Sequence, residues 1–244
     1  MEDQRKTVFI TGGSGGIGAA LTEVFSDEGW DVCFTYLDSA EKAQELAAKT
    51  GALAIRCDVR DPIAVAEAVR QGRTWFGVRA FDACVCAAGV AHLGLLSDMA
   101  GEDVDRVIDI NLKGAIHAAR EVSLRMREEG RGSIVLISSI WGSRPASGEA
   151  VYAASKAGIE GFARSLAAEL GPSGVRVNAL APGVIDTRMN ASLGEEALAD
   201  LAGRTALGRI GTPEEAARAA LFLAGEGSRG ISEQIIGADG GFSL

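Results

Sequence analysis

Histidine is almost missing from this chain: His92 and His117 are its only two in 244 residues, and neither stands in ligand spacing. The sequence therefore predicts no metal site. Aromatic residues make up only 5%, too few for the aromatic girdles of a β-barrel. The four cysteines, Cys33, Cys57, Cys84 and Cys86, all fall in apolar, strand-like runs. Cys84 and Cys86 are two apart, hence on one face of a strand, and read as small core residues rather than a redox pair or zinc ligands. Lysine and arginine (24) are outnumbered by aspartate and glutamate (33), for a net charge of −9. That balance excludes nucleic acid or an anionic membrane as the main partner. No run approaches the ~20 apolar residues of a membrane span. No apolar leader precedes the first glycine turn, so the expected location is cytoplasmic. A linker rich in proline, serine or charge is also missing, which predicts one domain over 1–244.

What is present is 47% hydrophobic residues and 32 glycines, a composition suited to helices packed closely on a sheet. Thr7–Ile10 reads as a strand, Thr11–Gly18 (TGGSGGIG) as a glycine turn, and the residues from Ala19 as a helix. That context fits a dinucleotide-binding turn, in which glycines let the backbone approach a pyrophosphate and the helix N-terminus holds it. The turn carries no Lys-Ser/Thr, which disfavours nucleoside triphosphate chemistry. Further strands are predicted at Asp31–Tyr36, Ala52–Cys57, Phe81–Cys86, Gly132–Ser138, Val175–Leu180 and Gln234–Gly237, with Pro182-Gly183 as a turn. Between them lie helices, one from about Val104 to Glu128 and one reaching Leu170, with N-terminal signals at Asp61-Pro62 and Thr212-Pro213. Alternating strands and helices imply an α/β fold, a parallel sheet covered on both faces. Residues 185–211 are expected to be an irregular insertion closing over substrate. At the end of the second strand, a carboxylate facing the ribose would select NAD, and its absence would leave room for a 2′-phosphate. Tyr36 holds the end position and Asp38 lies two beyond, so both outcomes stay open on this ground.

Chemistry concentrates between Ser139 and Lys156. Tyr152 and Lys156 are four apart, so on a helix the phenol and the ammonium share a face. A cation beside a phenol is expected to lower its pKa from ~10 towards the range of general acid/base catalysis. Ser139 follows the apolar run Ile134–Ile137, which puts its hydroxyl at a strand's C-terminal end, where open α/β sheets bind ligands. Asn111, inside the helix from Val104 with apolar neighbours, reads as a polar side chain bonded locally.

Taken together, Thr11–Gly18, Asp58-Val59, Ala88-Gly89, Asn111, Ser139, Tyr152-x-x-x-Lys156, Pro182-Gly183 and Asp239-Gly-Gly241 resemble the short-chain dehydrogenase/reductase family over essentially the whole chain. The resemblance implies a Rossmann-type, doubly wound seven-stranded parallel sheet, a nicotinamide dinucleotide and a homotetramer built through two long helices and the C-terminal segment. It implies Tyr152 as acid/base, Lys156 as the group that lowers its pKa and bonds the nicotinamide ribose, and Ser139 as the holder of the substrate oxygen. Asn111 would support a water leading protons to Lys156. Cofactor contacts are implied at Gly12, Ser14, Gly15, Gly16, Ile17 and Gly18 of the first turn, and at Tyr36, Asp58, Val59, Ala88 and Gly89. Beyond them come Tyr152, Lys156, Pro182, Gly183, Ile185 and Thr187. Tyr36 stands where NAD-specific members carry aspartate, which favours NADP(H). Gly15 and Leu37 occupy the usual basic positions, so NAD(H) stays open.

Two departures matter. The family's Asn-Asn-Ala-Gly after the fourth strand is here Cys86-Ala87-Ala88-Gly89. The segments Gly94–Met99, Val107–Gly114 and Leu207–Glu215 are similar to 3-oxoacyl-[acyl-carrier-protein] reductases, which implies a ketone on a carrier. Their basic docking positions correspond to Gly130 and Ser173, leaving Arg127, Arg131 and Arg176 as candidates to meet an acyl carrier protein. Ser138–Gly142 and Gly183–Asn190 also resemble reductases of the 5-aminopentanonyl group on elongation factor P. A different class, a dinucleotide-sensing protein without catalysis, would not require the four residues that this chain retains.

Overall fold

A computed structural model describes residues 5–187 and 194–243. Arg188, Met189 and Asn190 of the motif above, and 191–193 of the expected insertion, lie outside the described residues.

Seven strands form one sheet: β1 (Thr7–Thr11), β2 (Asp31–Tyr36), β3 (Leu53–Arg56), β4 (Ala83–Cys86), β5 (Gly132–Ile137), β6 (Val175–Pro182) and β7 (Ile235–Ala238). Their order is β3-β2-β1-β4-β5-β6-β7, every neighbouring pair parallel. Parallel neighbours need crossovers, supplied by α1 (Gly16–Asp27), α2 (Ala40–Thr50), α3 (Pro62–Phe76), α4 (Gly101–Ile108), α5 (Gly114–Glu129), α6 (Ala150–Leu170) and α8 (Pro213–Ala224). A short α7 (Glu195–Gly203) lies in the segment between β6 and α8.

Strand side chains alternate between two cores. Phe9, Cys84, Ile134 and Leu136 join α3, α5 and α6 on one face. Val8, Ile10, Val85, Val135 and Ile137 join α1, α2 and α8 on the other. All four cysteines are buried in the first core, with Cys84 and Cys86 sulfurs 3.8 Å apart. Burial pushes the Cys57 thiol up to about 11 and Cys33 higher still, which fits packing and not redox chemistry.

Both helix-start signals are realised. The Asp61 carboxylate accepts from the Ile63 amide at 2.8 Å, and Thr212 and Glu215 form a reciprocal capping box. Two expectations are corrected. The helix from Val104 to Glu128 is broken: a wide π-type turn at Asp109–Lys113 separates α4 from α5. Pro182 is not in a turn, because β6 continues through it to pair with Ala238 of β7.

Candidate active site

Between β1 and β4 the strand order reverses direction, the switch point at which open parallel sheets bind ligands outside the strands' C-terminal ends. A cavity of about 730 Å³ lies there. The turn after β1 forms its floor at one end, and the backbone conformation explains the glycines. Gly12 has φ +70°, and a Cβ on Gly18 would sit 2.0 Å from the Gly12 carbonyl oxygen. Only glycine lets α1 begin so close to the turn. Its cap is Gly15, which has no side chain to bond the first amides, so the cradle fits a pyrophosphate. The turn after β4 is held by Thr11, whose hydroxyl accepts from the Ala87 and Ala88 amides at 3.1 and 3.2 Å. That single hydroxyl stabilises the segment from which the family's asparagines are missing.

The structure gathers the expected residues. Gly12, Ser14, Gly15, Gly16, Ile17, Gly18, Ala88, Gly89, Ser139, Tyr152, Lys156, Pro182, Gly183, Ile185 and Thr187 all line this cavity. Tyr36, Asp58 and Val59 line an adjoining one of about 240 Å³, together with Asp38 and Arg60. Asn111 lines neither.

Lys156 is 5% exposed, and its ammonium donates to the Ile137 carbonyl at 2.8 Å. Burial lowers its pKa to about 8. It sits 5.5 Å from the centre of the Tyr152 ring. The expectation of a phenol acidified by this cation is corrected: burial raises Tyr152 to about 12. The neighbouring Ser139 hydroxyl pulls the other way, and the negative charge of Glu149 adds to the rise. In this state the phenol keeps its proton and is poised to give one. Ser139 itself is fixed as the cap of a short turn, accepting from the Trp141 amide at 3.3 Å.

Asn111 is not bonded locally, as its sequence context suggested. Its amide donates to Val90 O at 2.9 Å and to Ser155 Oγ at 3.1 Å, and it accepts from Val90 N at 2.8 Å. Ser155 in turn donates to the Tyr152 carbonyl at 2.6 Å. The π-type turn aims the asparagine inward, tying the loop after Gly89 to the Tyr152 helix. A Cβ on Gly89 would lie 3.4 Å from Asn111 Oδ1 and 3.7 Å from Lys156 Nζ, so both polar groups stand close behind that glycine.

Sequence reasoning missed several wall residues. Ser39 and Lys42, at the start of α2, face the same cavity as Ser14 and Gly15 and supply a cation where Gly15 and Leu37 do not. Their signal was available in the helix start at Ser39-Ala40, three to four residues after Tyr36. Glu149, Arg106 and Trp141 also line it. Arg60 was overlooked as well: it pairs with Asp58 at 2.6 Å and holds that carboxyl below its usual range. Of the arginines expected to meet a carrier, Arg176 is consumed internally, donating to the carbonyls of Leu223, Ala224, Gly225 and Ile231. Arg131 pairs with Asp82, and Arg127 is exposed.

Sheet order, glycine cradle and the Ser139–Tyr152–Lys156 cluster together define a dinucleotide-dependent oxidoreductase. The chain belongs to the short-chain dehydrogenase/reductase family, an NAD(P)-dependent group; the profile described as enoyl-(acyl carrier protein) reductase matches residues 12–243. It is 39% identical to the cyclic-di-GMP-binding biofilm dispersal mediator protein of Escherichia coli K12, over 97% of both chains. It is 40% identical to a 3-oxoacyl-[acyl-carrier-protein] reductase of Thermotoga maritima, over 100% of both. A Burkholderia cenocepacia short-chain dehydrogenase solved in complex with NADP superposes with a TM-score of 0.91, at 36% identity over 98% of each chain.

Proposed function

We propose that this protein is an NADPH-dependent ketone reductase whose substrate is a 3-oxoacyl thioester, converted to the 3-hydroxyacyl product. One observation carries the reading: Tyr152, Ser139 and Lys156 converge on the wall of a cavity that runs to the glycine turn. The Ser139 hydroxyl would hold the ketone oxygen, and Tyr152, protonated at neutral pH, would give its proton to that oxygen as charge develops there. Lys156 would keep positive charge behind the phenol as it becomes phenolate, while Asn111 acts as a positioning residue through Val90 and Ser155. A nicotinamide dinucleotide held at the glycine turn would supply the hydride for the carbonyl carbon.

NADP(H) is favoured by Ser39 and Lys42 beside the glycine turn and by an aromatic residue, Tyr36, at the end of β2. The Thermotoga relative's name supports the thioester, and Arg127 is the exposed cation left for a carrier protein. The Escherichia coli relative's name supports a second reading, nucleotide binding as the function itself. A panel of 3-oxoacyl thioesters and simple ketones, run with NADPH and NADH side by side, separates them. The first reading expects NADPH oxidation, fastest on the thioesters. Binding of nucleotide with no turnover across the panel contradicts it.

A further inference from the structure

Beyond Ser139, the wall of the main cavity is continued by Ile140 and Trp141, which form a short helical turn after β5. Behind that wall lies a third, small core, separate from the two on the sheet. Ile140, Val184 and Phe242 are buried in it, and Trp141 packs against them. Phe242 comes from the tail after β7 and is 2% exposed. Its ring meets the Trp141 indole edge-on, with centroids 5.7 Å apart and planes at 87°.

Arg144 holds the tail in that place. Its guanidinium donates to the Phe242 carbonyl, lies 5.6 Å from the centre of the Phe242 ring and stands 3.6 Å from the Asp239 carboxylate. Each contact is weak alone, but all three fix the same few residues relative to the turn that carries Trp141. The tail is also paired with the segment after α7. The Ala206 and Leu207 amides donate to the Gly241 and Gly240 carbonyls at 3.2 and 3.1 Å, and the Ser243 amide donates to Arg204 O at 2.8 Å. The tail therefore fastens the segment between β6 and α8 to the serine turn, with the half-buried indole between Phe242 and the cavity. A ring braced from behind in this way has a fixed position on the cavity wall.

We propose that Phe242 is a positioning residue that, together with Arg144, braces Trp141 as a stop in the substrate cavity, and that the stop limits the length of the acyl chain. The inference rests on the ketone-reductase reading and adds a size limit to it. The carrier arm of a thioester has to leave for solvent, so it takes the open side, where Leu93 lines the cavity and is 68% exposed. The acyl chain on the other side of the ketone then runs along Ile140 to Trp141, where the wall is apolar and has a buried core behind it. Each buried methylene is worth roughly fourfold in affinity, so a stop at a fixed depth gives a break in a chain-length series.

The test measures kcat/KM with NADPH for 3-oxoacyl thioesters of short, medium and long chain, roughly four, eight and twelve carbons. The readout is the long-to-short ratio, which a general loss of stability leaves unchanged because it lowers every rate alike. The wild-type protein should favour the short chain. Trp141→Ala should raise the ratio at least about tenfold and Phe242→Ala roughly threefold or more. The Trp141→Ala/Phe242→Ala pair should match Trp141→Ala within about twofold, since Phe242 acts only through the indole. A wild-type preference for the long chain, or an unchanged ratio in Trp141→Ala, overturns the stop. An unchanged ratio in Phe242→Ala, or effects that multiply in the pair, overturns the brace. Should Phe242→Ala fail to fold, Arg144→Gln, which keeps both rings, takes its place with the same readings. If no thioester is reduced, the reductase reading fails, and calorimetry of the same series with NADP+ present still decides the stop. The long-to-short affinity ratio should then rise in Trp141→Ala and in Phe242→Ala; ratios equal to the wild-type value overturn the proposal.

Discussion

Lys156 is the residue on which the pH behaviour of the site turns. Its pKa lies near 8 because burial penalises the ammonium, while the phenol of Tyr152, near 12, stays protonated through the neutral range. The charged lysine exists below about pH 8 and is lost above it. Ketone reduction in the proposed scheme needs both a protonated phenol and a charged lysine, so kcat should fall by one proton's titration as pH rises through about 8. A rate that stays level to pH 10 would show that the lysine charge is not required. At the same scale, Lys42→Ala should raise KM for NADPH about tenfold and leave NADH within about threefold, as expected for loss of one charge-assisted phosphate contact. Equal effects on both nucleotides would remove Lys42 from the 2′-phosphate.

At the scale of elements, the turn between α4 and α5 does the work of a clamp. Asn111 bonds both polar groups of Val90 and the Ser155 hydroxyl, and Ser155 holds the Tyr152 carbonyl. Replacing it by leucine strands buried donors and acceptors at a cost of about 1–3 kcal/mol. Asn111→Leu should therefore lower the urea midpoint and reduce kcat more than KM for NADPH. Unchanged stability and kcat would mean that the turn is incidental. This device was not legible in the sequence, since the asparagine's partners lie 21 and 44 residues away. Local reading saw only apolar neighbours in a helical period. The capped starts of α3 and α8 were legible, because Asp61 and Thr212 find their partners within three residues.

Across the whole molecule, the parallel sheet was readable because its strands are short apolar runs between helical periods, and buried strands alternate between two cores. The sites at its switch point were readable where the chemistry is carried by residues spaced along one helix, as with Tyr152 and Lys156. Arg106 and Trp141 were not, since they reach the cavity from separate elements whose relative placement only the fold supplies. Leu124 on α5 remains about half exposed, on one of the two long helices that the proposed homotetramer would cover. Sedimentation should give a particle four times the 25.2 kDa chain. A monomer at micromolar concentration would refute that assembly.

The most direct measurement compares Tyr152→Phe with the wild-type protein for NADPH-dependent ketone reduction, with NADPH affinity determined in parallel. The account predicts a loss of about 100-fold or more in kcat, the usual size of a general acid's contribution, at an NADPH affinity within a few-fold of normal. A variant that reduces ketones at the wild-type rate would contradict it.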